Sequence, residues 1–468
     1  MFKNKGLFLL NLLFDNLQSA IFGQKSYKHN LINMSLSRRN FITLAGLGFT
    51  TIVGANSLKN YYVGVAKGKS ANTNKFGPLI PDPNGIVDLP KGWKYQVISY
   101  GGKSLDDGSI VPSGFDGMAA FRGKNKQIIL VRNHELTPDA NYGINTLPEY
   151  KYNPISQGGT ITLIINENGT LDQEFVSLAG TNRNCSGGTT PWNSWISCEE
   201  DTAIYKLKNR NSGEEIIKKH GYNFEVPSQG KITKPTPLLS MGRFRHEAIA
   251  VDPKTGYIYQ TEDQNDSCFY RFRPHQPQNL QAGGILEALV IKEIPRIDTS
   301  KNYPINQPKS VQWVKLENVD PDEDTLRYEA QNKGAAIFKR GEGICLANGE
   351  FYFTCTSGGN AEKGQIFRYN PAQETISLFV ESPGAEILDY PDNLIMSPFG
   401  DLIVCEDGRG EQFLIGVTPE GQYYRLARNA YNNSEFAGVC FSPNGQTMFV
   451  NIYSPGLTLA ISGSWQTI

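Results

Sequence analysis

DPKTGYIYQTED, residues 252–263, opens on a turn, runs through the alternation Tyr257-Ile258-Tyr259-Gln260-Thr261 and ends on two carboxylates, Glu262 and Asp263. Period-two alternation after a Gly-bearing turn reads as a β-strand. The same order of turn, strand and polar or acidic end recurs in KNKQIILVRNHE (124–135), TPWNSWISCEED (190–201), LANGEFYFTCTS (346–357), SPFGDLIVCEDG (397–408) and SPNGQTMFVNIY (442–453). Repetition at such wide spacing, with strand rather than helical content, predicts an all-β chain. The expected form is a six-bladed β-propeller with inserted loops and short helices, its sheets of about four strands surrounding a central channel.

Equivalent strands in a propeller deliver equivalent ends to one region. Glu135, Glu199, Glu200, Glu262, Asp263, Glu406, Asp407 and Asn451 all stand at that strand end, so they are expected around one mouth of the channel. A single such carboxylate is more often a turn cap or half of a salt bridge. Several together repel one another, and multivalent cations between them relieve the repulsion. A metal site in the channel is the expectation.

Composition narrows the chemistry. With 45 Lys and Arg against 46 Asp and Glu in 468 residues, the chain lacks the basic surplus of a nucleic-acid-binding protein. Its 47 Gly, 26 Pro, 22 Tyr and 24 Phe suit turn-rich β structure. Only five histidines occur, and His246-Glu247-Ala248-Ile249-Ala250 lacks the second histidine of a zinc-protease helix. The seven cysteines form no CxxC pair. Gly64-Val65-Ala66-Lys67-Gly68-Lys69-Ser70 is one residue short of a phosphate-binding loop, no GxSxG marks a nucleophile, and Asp320-Pro321-Asp322-Glu323-Asp324 lacks the glycine and final glutamate of a calcium loop. Oxygen-rich ligation favours calcium or ferric iron, and a thiolate shifts preference toward iron. Cys185, in the turn NCSGG, is the candidate thiolate; the other reading of it is a disulfide with Cys198, and the remaining cysteines read as packed thiols.

Near the N-terminus, Ser37-Arg38-Arg39-Asn40-Phe41-Ile42 precedes an uncharged run from Thr43 to Leu58. A paired arginine before a mildly apolar segment is similar to a twin-arginine export signal, and the glycines in the run weaken it as a membrane span. Segment 34–70 is expected to be signal and linker, 1–33 an upstream extension or a second targeting element, and 78–468 a single catalytic propeller domain.

Beyond the signal, Gly114-Phe115-Asp116-Gly117, Arg132-Asn133-His134-Glu135, NCSGGTTPWNSWISCEE (184–200), Arg243-Phe244-Arg245-His246-Glu247, Thr261-Glu262-Asp263, Arg340-Gly341-Glu342-Gly343, Pro391-Asp392-Asn393 and Cys405-Glu406-Asp407-Gly408 stand in the order that resembles the PhoX-type secreted alkaline phosphatases. The resemblance runs from about residue 80 to 460, with Gly341 where many members have proline. It implies a periplasmic or extracellular phosphomonoesterase exported by the twin-arginine machinery. An iron–calcium centre, with a bound water or oxo group as nucleophile, would hydrolyse small phosphate esters. By motif position Cys185, Glu247 and Glu342 become metal ligands and Arg340 a phosphate contact; Arg183, beside the cysteine turn, is the second choice for that contact. The further ligand candidates are Glu135, Glu199, Glu200, Glu262, Asp392, Asn393, Glu406 and Asp407, about half of which are expected to touch metal. A monomer with no stable membrane span in its mature form is expected. The alternatives are a calcium-dependent lactonase or phosphotriesterase, and a calcium-stabilised binding propeller without turnover.

Overall fold

Asn348 and Gly349 adopt φ of 52° and 80°, the left-handed pair that a two-residue hairpin turn requires. They join Gly341–Ala347 to Glu350–Cys355, with Ala347 opposite Glu350. Hairpins of this kind build nearly all of the computed structural model, which describes residues 75–465 apart from 106–107, 209–212, 214 and 233. The expected segments 1–33 and 34–70 lie outside the described residues. Among the described residues there is one α-helix, Leu326–Asn332, and no helix is long and apolar enough to cross a membrane.

The chain is all-β and propeller-like. Phe115–Arg122, Ile128–His134, Gly158–Ile165 and Leu171–Thr181 form the first antiparallel sheet, and Asn184–Thr189, Ser194–Glu199 and Asn223–Pro227 the second, beside a separate hairpin of Ile204–Lys208 and Glu215–Lys219. A nine-stranded sheet joins two runs, one starting at His246–Val251 and one at Gly341–Ala347, through the pairs Lys309↔Ile376 and Ser310↔Thr375 of their outer strands. Pro391–Met396 begins the next sheet, which Val87–Pro90 extends. Phe436–Phe441 begins the last, and Lys94–Tyr100 from the start of the chain completes it by pairing with Leu457–Ser462.

The first strand of each run touches the first strand of the next, and Phe436–Phe441 touches Phe115–Arg122. Residues of all these strands line one cavity of about 530 Å³. Apolar clusters fill the spaces between successive sheets. Val131 meets Trp195 and Phe224, Ile196 meets Ile249 and Phe272, Phe269 meets Phe353, Val380 meets Val404, Leu426 meets Val450 and Phe449 meets Leu130. Each large side chain buried in this way contributes about 1.5–3 kcal/mol, so the sheets are held face to face rather than edge to edge.

Every first strand carries a register shift against its partner, between Phe115 and Met118, Asn184 and Gly187, His246 and Ile249, Gly341 and Ile344, Pro391 and Leu394, and Ala437 and Cys440. Such bulges re-aim side chains and free backbone groups from the ladder. Polar side chains of the neighbouring sheet take up the freed carbonyls. Asn133 Nδ2 donates to Cys185 O (3.1 Å) and Ser186 O (2.7 Å), Thr261 Oγ1 to Glu342 O, Thr354 Oγ1 to Asp392 O (2.8 Å) and Asn451 Nδ2 to Asp116 O (2.6 Å). Approach at the bulges is close: a Cβ on Gly343 would meet Asp392 O at 2.7 Å, and one on Gly438, whose φ is 63°, would meet Asp116 O at 2.4 Å.

Asn133 also accepts from Trp195 Nε1 and Ser197 Oγ, each at 2.9 Å. Asn133→Ala would leave two carbonyls and two donors unpaired in a dry interface, and is expected to cost about 3 kcal/mol of stability, read as a lower urea midpoint. An unchanged midpoint would mean that these bonds do not hold the first two sheets together.

Candidate metal centre

The second residue of each bulged first strand is Asp116, Cys185, Glu247, Glu342 or Asp392; in the last strand it is Ala437, and Glu435 stands just before that strand. These side chains converge. Ligand atoms of Cys185, Glu200 and Glu247 lie within 4.8 Å of one another, and so do those of Glu247, Glu342 and Asp392, all buried. Glu247 belongs to both groups. Cys185 Sγ also lies 3.3 Å from His246 O, and all seven cysteines are free and buried, so the disulfide reading of Cys185 and Cys198 is not realised.

Strand ends contribute the rest, and the pleat sorts them. In the doublets Glu199-Glu200, Glu262-Asp263 and Glu406-Asp407, successive side chains point to opposite sides. The first acid of each ties down its own sheet. Glu199 accepts from Asn182 N (2.9 Å), Gly221 N (3.0 Å), Tyr222 N (3.2 Å) and His220 Nδ1 (2.6 Å). Glu262 accepts from Cys268 N (3.1 Å) and Tyr270 Oη (2.8 Å), with Arg327 at 3.6 Å. Glu406 accepts from Asp389 N (2.7 Å) and Phe413 N (3.2 Å). These three ligand candidates therefore hold loops and belong to neither group. Asn393 serves its neighbour: Nδ2 donates to Asp392 Oδ1 (3.0 Å) while Oδ1 accepts from Gly438 N (2.6 Å).

The second acid of each doublet joins the cluster, as does Glu135 after His134. Two arginines bridge them. Arg183 Nη2 lies 2.6 Å from Glu135 and 2.7 Å from Glu200. Arg340 grips Asp263 with Nε and Nη2 (2.9 and 3.0 Å) and reaches Glu342 Oε1 at 2.6 Å. Each precedes a bulged first strand with positive φ, 46° and 53°, a conformation that costs a non-glycine residue on the order of 1 kcal/mol and turns the side chain toward the cluster. Burial opposes their charge, yet the carboxylates hold both guanidiniums above their ordinary pKa.

The carboxyls move the other way. Burial first, then neighbouring acids, push Asp116, Glu200, Glu247, Glu342 and Glu435 well above the usual carboxylate range. Burial and Asp407 lift Asp392 to about 7. Counting Asp116, Glu135, Glu200, Glu247, Asp263, Glu342, Asp392, Asp407 and Glu435, nine acids face two arginines. A cation-free cluster must hold protons, whereas multivalent cations would let it ionise. The donor set, carboxylate oxygens with one thiol, fits calcium or iron.

Asp116 and Glu435 were not among the residues expected at the channel mouth; Asp263 was expected there but not singled out as a ligand. Asp116 was visible as the second residue of a first strand, in register with Glu247 and Glu342. Asp263 was visible as the outer half of a doublet. For Glu435 no repeated pattern exists in the sequence.

With this geometry in place, comparison with known proteins is informative. The alkaline phosphatase PhoX family matches residues 74–173 and 167–456, and the chain belongs to that family. Among solved structures it is similar to Pseudomonas fluorescens PhoX in complex with vanadate, a transition state analogue, at 17% identity and a TM-score of 0.63, covering 82% of this chain and 97% of that one. Xanthomonas campestris gluconolactonase (12% identity, TM-score 0.39, 82% and 97% covered) and Staphylococcus aureus virginiamycin B lyase (13%, 0.37, 80% and 100%) are also similar. No curated protein matches.

Two outcomes are expected. An acid whose folded pKa is raised stabilises the fold only while protonated, so that contribution fades as pH rises through about 7 for Asp392. Metal-stripped protein should therefore lose Tm as pH rises from about 4 to about 7, between the unfolded and folded pKa of Asp392, while metal-loaded protein loses less, and a pH-independent gap between the two curves would refute the cation account. Glu199→Gln should lower Tm yet keep the bound metal measured by elemental analysis, whereas Glu200→Gln should lose metal.

Proposed function

We propose that this protein is a metal-dependent phosphatase that hydrolyses phosphomonoesters, on a six-bladed propeller of residues 78–468 with its metal site at the channel mouth. The observation that carries the reading is the pair of ligand groups sharing Glu247, supported by membership of the PhoX family. Cys185, Glu200, Glu247, Glu342 and Asp392 would hold calcium and iron, with Asp116, Glu135, Asp263, Asp407 and Glu435 beside them. Bound cations of this kind offset phosphate charge, make phosphorus electrophilic and stabilise the leaving oxygen.

The chain's own contribution is orientation. Arg183 and Arg340 use Nε and Nη2 on carboxylates, and neither Nη1 has a protein partner among the described residues. Their side chains remain 34% and 28% exposed, so a phosphate oxygen can reach the unused edge of each planar fork. The carboxylates fix both forks before substrate arrives, which removes the entropy cost of ordering them. Export by the twin-arginine route to the periplasm or medium, as a monomer, completes the proposal; it rests on Arg38, Arg39 and the uncharged run after them.

Folded, metal-loaded protein should release phosphate from p-nitrophenyl phosphate at alkaline pH and lose that activity with a calcium chelator. Glu247→Gln should lower kcat by about a hundredfold or more, because one carboxylate serves both ligand groups. Turnover of lactones or phosphotriesters in place of monoesters would overturn the substrate assignment, and a chelator that lowers Tm with no ester cleaved by untreated protein would favour a binding propeller.

A further inference from the structure

Beside the acid cluster lies a second cavity of about 340 Å³ that the phosphate-binding groups do not fill. Glu135 and Arg183 belong to both, so the cavity begins where the cluster ends. Arg183 is fixed at that boundary by its backbone: its N–H donates to Leu136 O on the cavity wall, and its C=O accepts from Glu200 N in the cluster, each at 3.0 Å. Gly114 forms the opposite wall against Glu135, where a Cβ would meet Glu135 O at 2.5 Å. Away from the charged pair, hydroxyls dominate the lining: Ser113, Thr137, Tyr453 and Ser454.

We infer that this cavity receives the alcohol part of the phosphate ester and that its hydroxyls select polyol phosphates, of the glycerol and sugar type, over aryl phosphates. The inference rests on the phosphomonoesterase reading above. A phosphate held by Arg183 Nη1 can turn its ester oxygen toward this cavity, which Arg183 itself lines and which has room for carbon. Its volume is at the small end of ligand pockets, suited to a three- to six-carbon alcohol. The Ser113 and Ser454 hydroxyls have no protein hydrogen-bond partner among the described residues, so a polyol can replace their water bond for bond, whereas an aryl ring would leave them unpaired. Tyr453 is the one aromatic ring in the lining, too little to sandwich a nucleobase.

The test uses metal-loaded full-length protein and three probes: glycerol 3-phosphate, phenyl phosphate and inorganic phosphate as inhibitor. The double variant Ser113→Ala/Ser454→Ala should raise KM for glycerol 3-phosphate about tenfold relative to phenyl phosphate. Ala140→Phe, which narrows the cavity from its half-buried wall, should raise KM for both esters without weakening inhibition by inorganic phosphate. Unchanged KM values in both variants, or inhibition weakened in step with KM, would overturn the assignment. If wild type cleaves phenyl phosphate but not glycerol 3-phosphate, this inference fails alone; if it cleaves no monoester, the phosphatase reading fails with it.

Discussion

The structure depends on a bulge at the start of each first strand, held in four of the six by a side-chain hydrogen bond from the adjoining run of strands. A bulge removes a carbonyl from its own ladder, and a buried carbonyl without a partner costs about 1–3 kcal/mol. Asn133, Thr261, Thr354 and Asn451 supply those partners across the sheet interfaces. The same bond therefore fastens sheet to sheet and fixes the direction of an acidic or thiol side chain. Stability and site geometry share one set of contacts.

From that geometry follows an electrostatic debt. Carboxyls delivered by separate sheets are brought together more closely than two arginines can neutralise, and burial removes the water that would otherwise screen them. Arg183 and Arg340 settle part of the imbalance and are made rigid by doing so. The remainder is the reason a cation is expected at this place, since Glu199 and Glu406, only one residue away from cluster acids, are held by amide and imidazole donors, and Glu262 by the Cys268 amide, the Tyr270 hydroxyl and Arg327.

The position just before each first strand shows how a repeated scaffold acquires asymmetric chemistry. It is held by Gly114, Arg183, Arg245, Arg340, Tyr390 and Glu435, and Gly114, Arg183, Arg340 and Tyr390 share positive φ. At those four the backbone does nearly the same thing, while the side chain changes from none, to cation, to aromatic. Where Gly114 stands, space opens for the cavity beside Glu135; where Arg183 and Arg340 stand, a cation enters the cluster. A fold of this type does not select the reaction, but it supplies equivalent places at which single residues can.

The recurring turn–strand–acid segments were enough to give the all-β class and the convergence of strand ends, because alternation and Asn-Gly or Pro-containing turns act locally, within a few residues. Cys185, Glu200, Glu247, Glu342 and Asp392 could be named from motif and strand position, and the structure brings them together. Which acid of a doublet faces the cluster was decided only in three dimensions. Glu262 and Asp263 are chemically alike in the chain, and one turns to Tyr270 and the Cys268 amide only because the pleat and the next strand of its own sheet put those donors there. Glu435 was hidden for a similar reason: its neighbours Asp407 and Asp392 come from another sheet, and contact between sheets is a property of packing that no local pattern encodes.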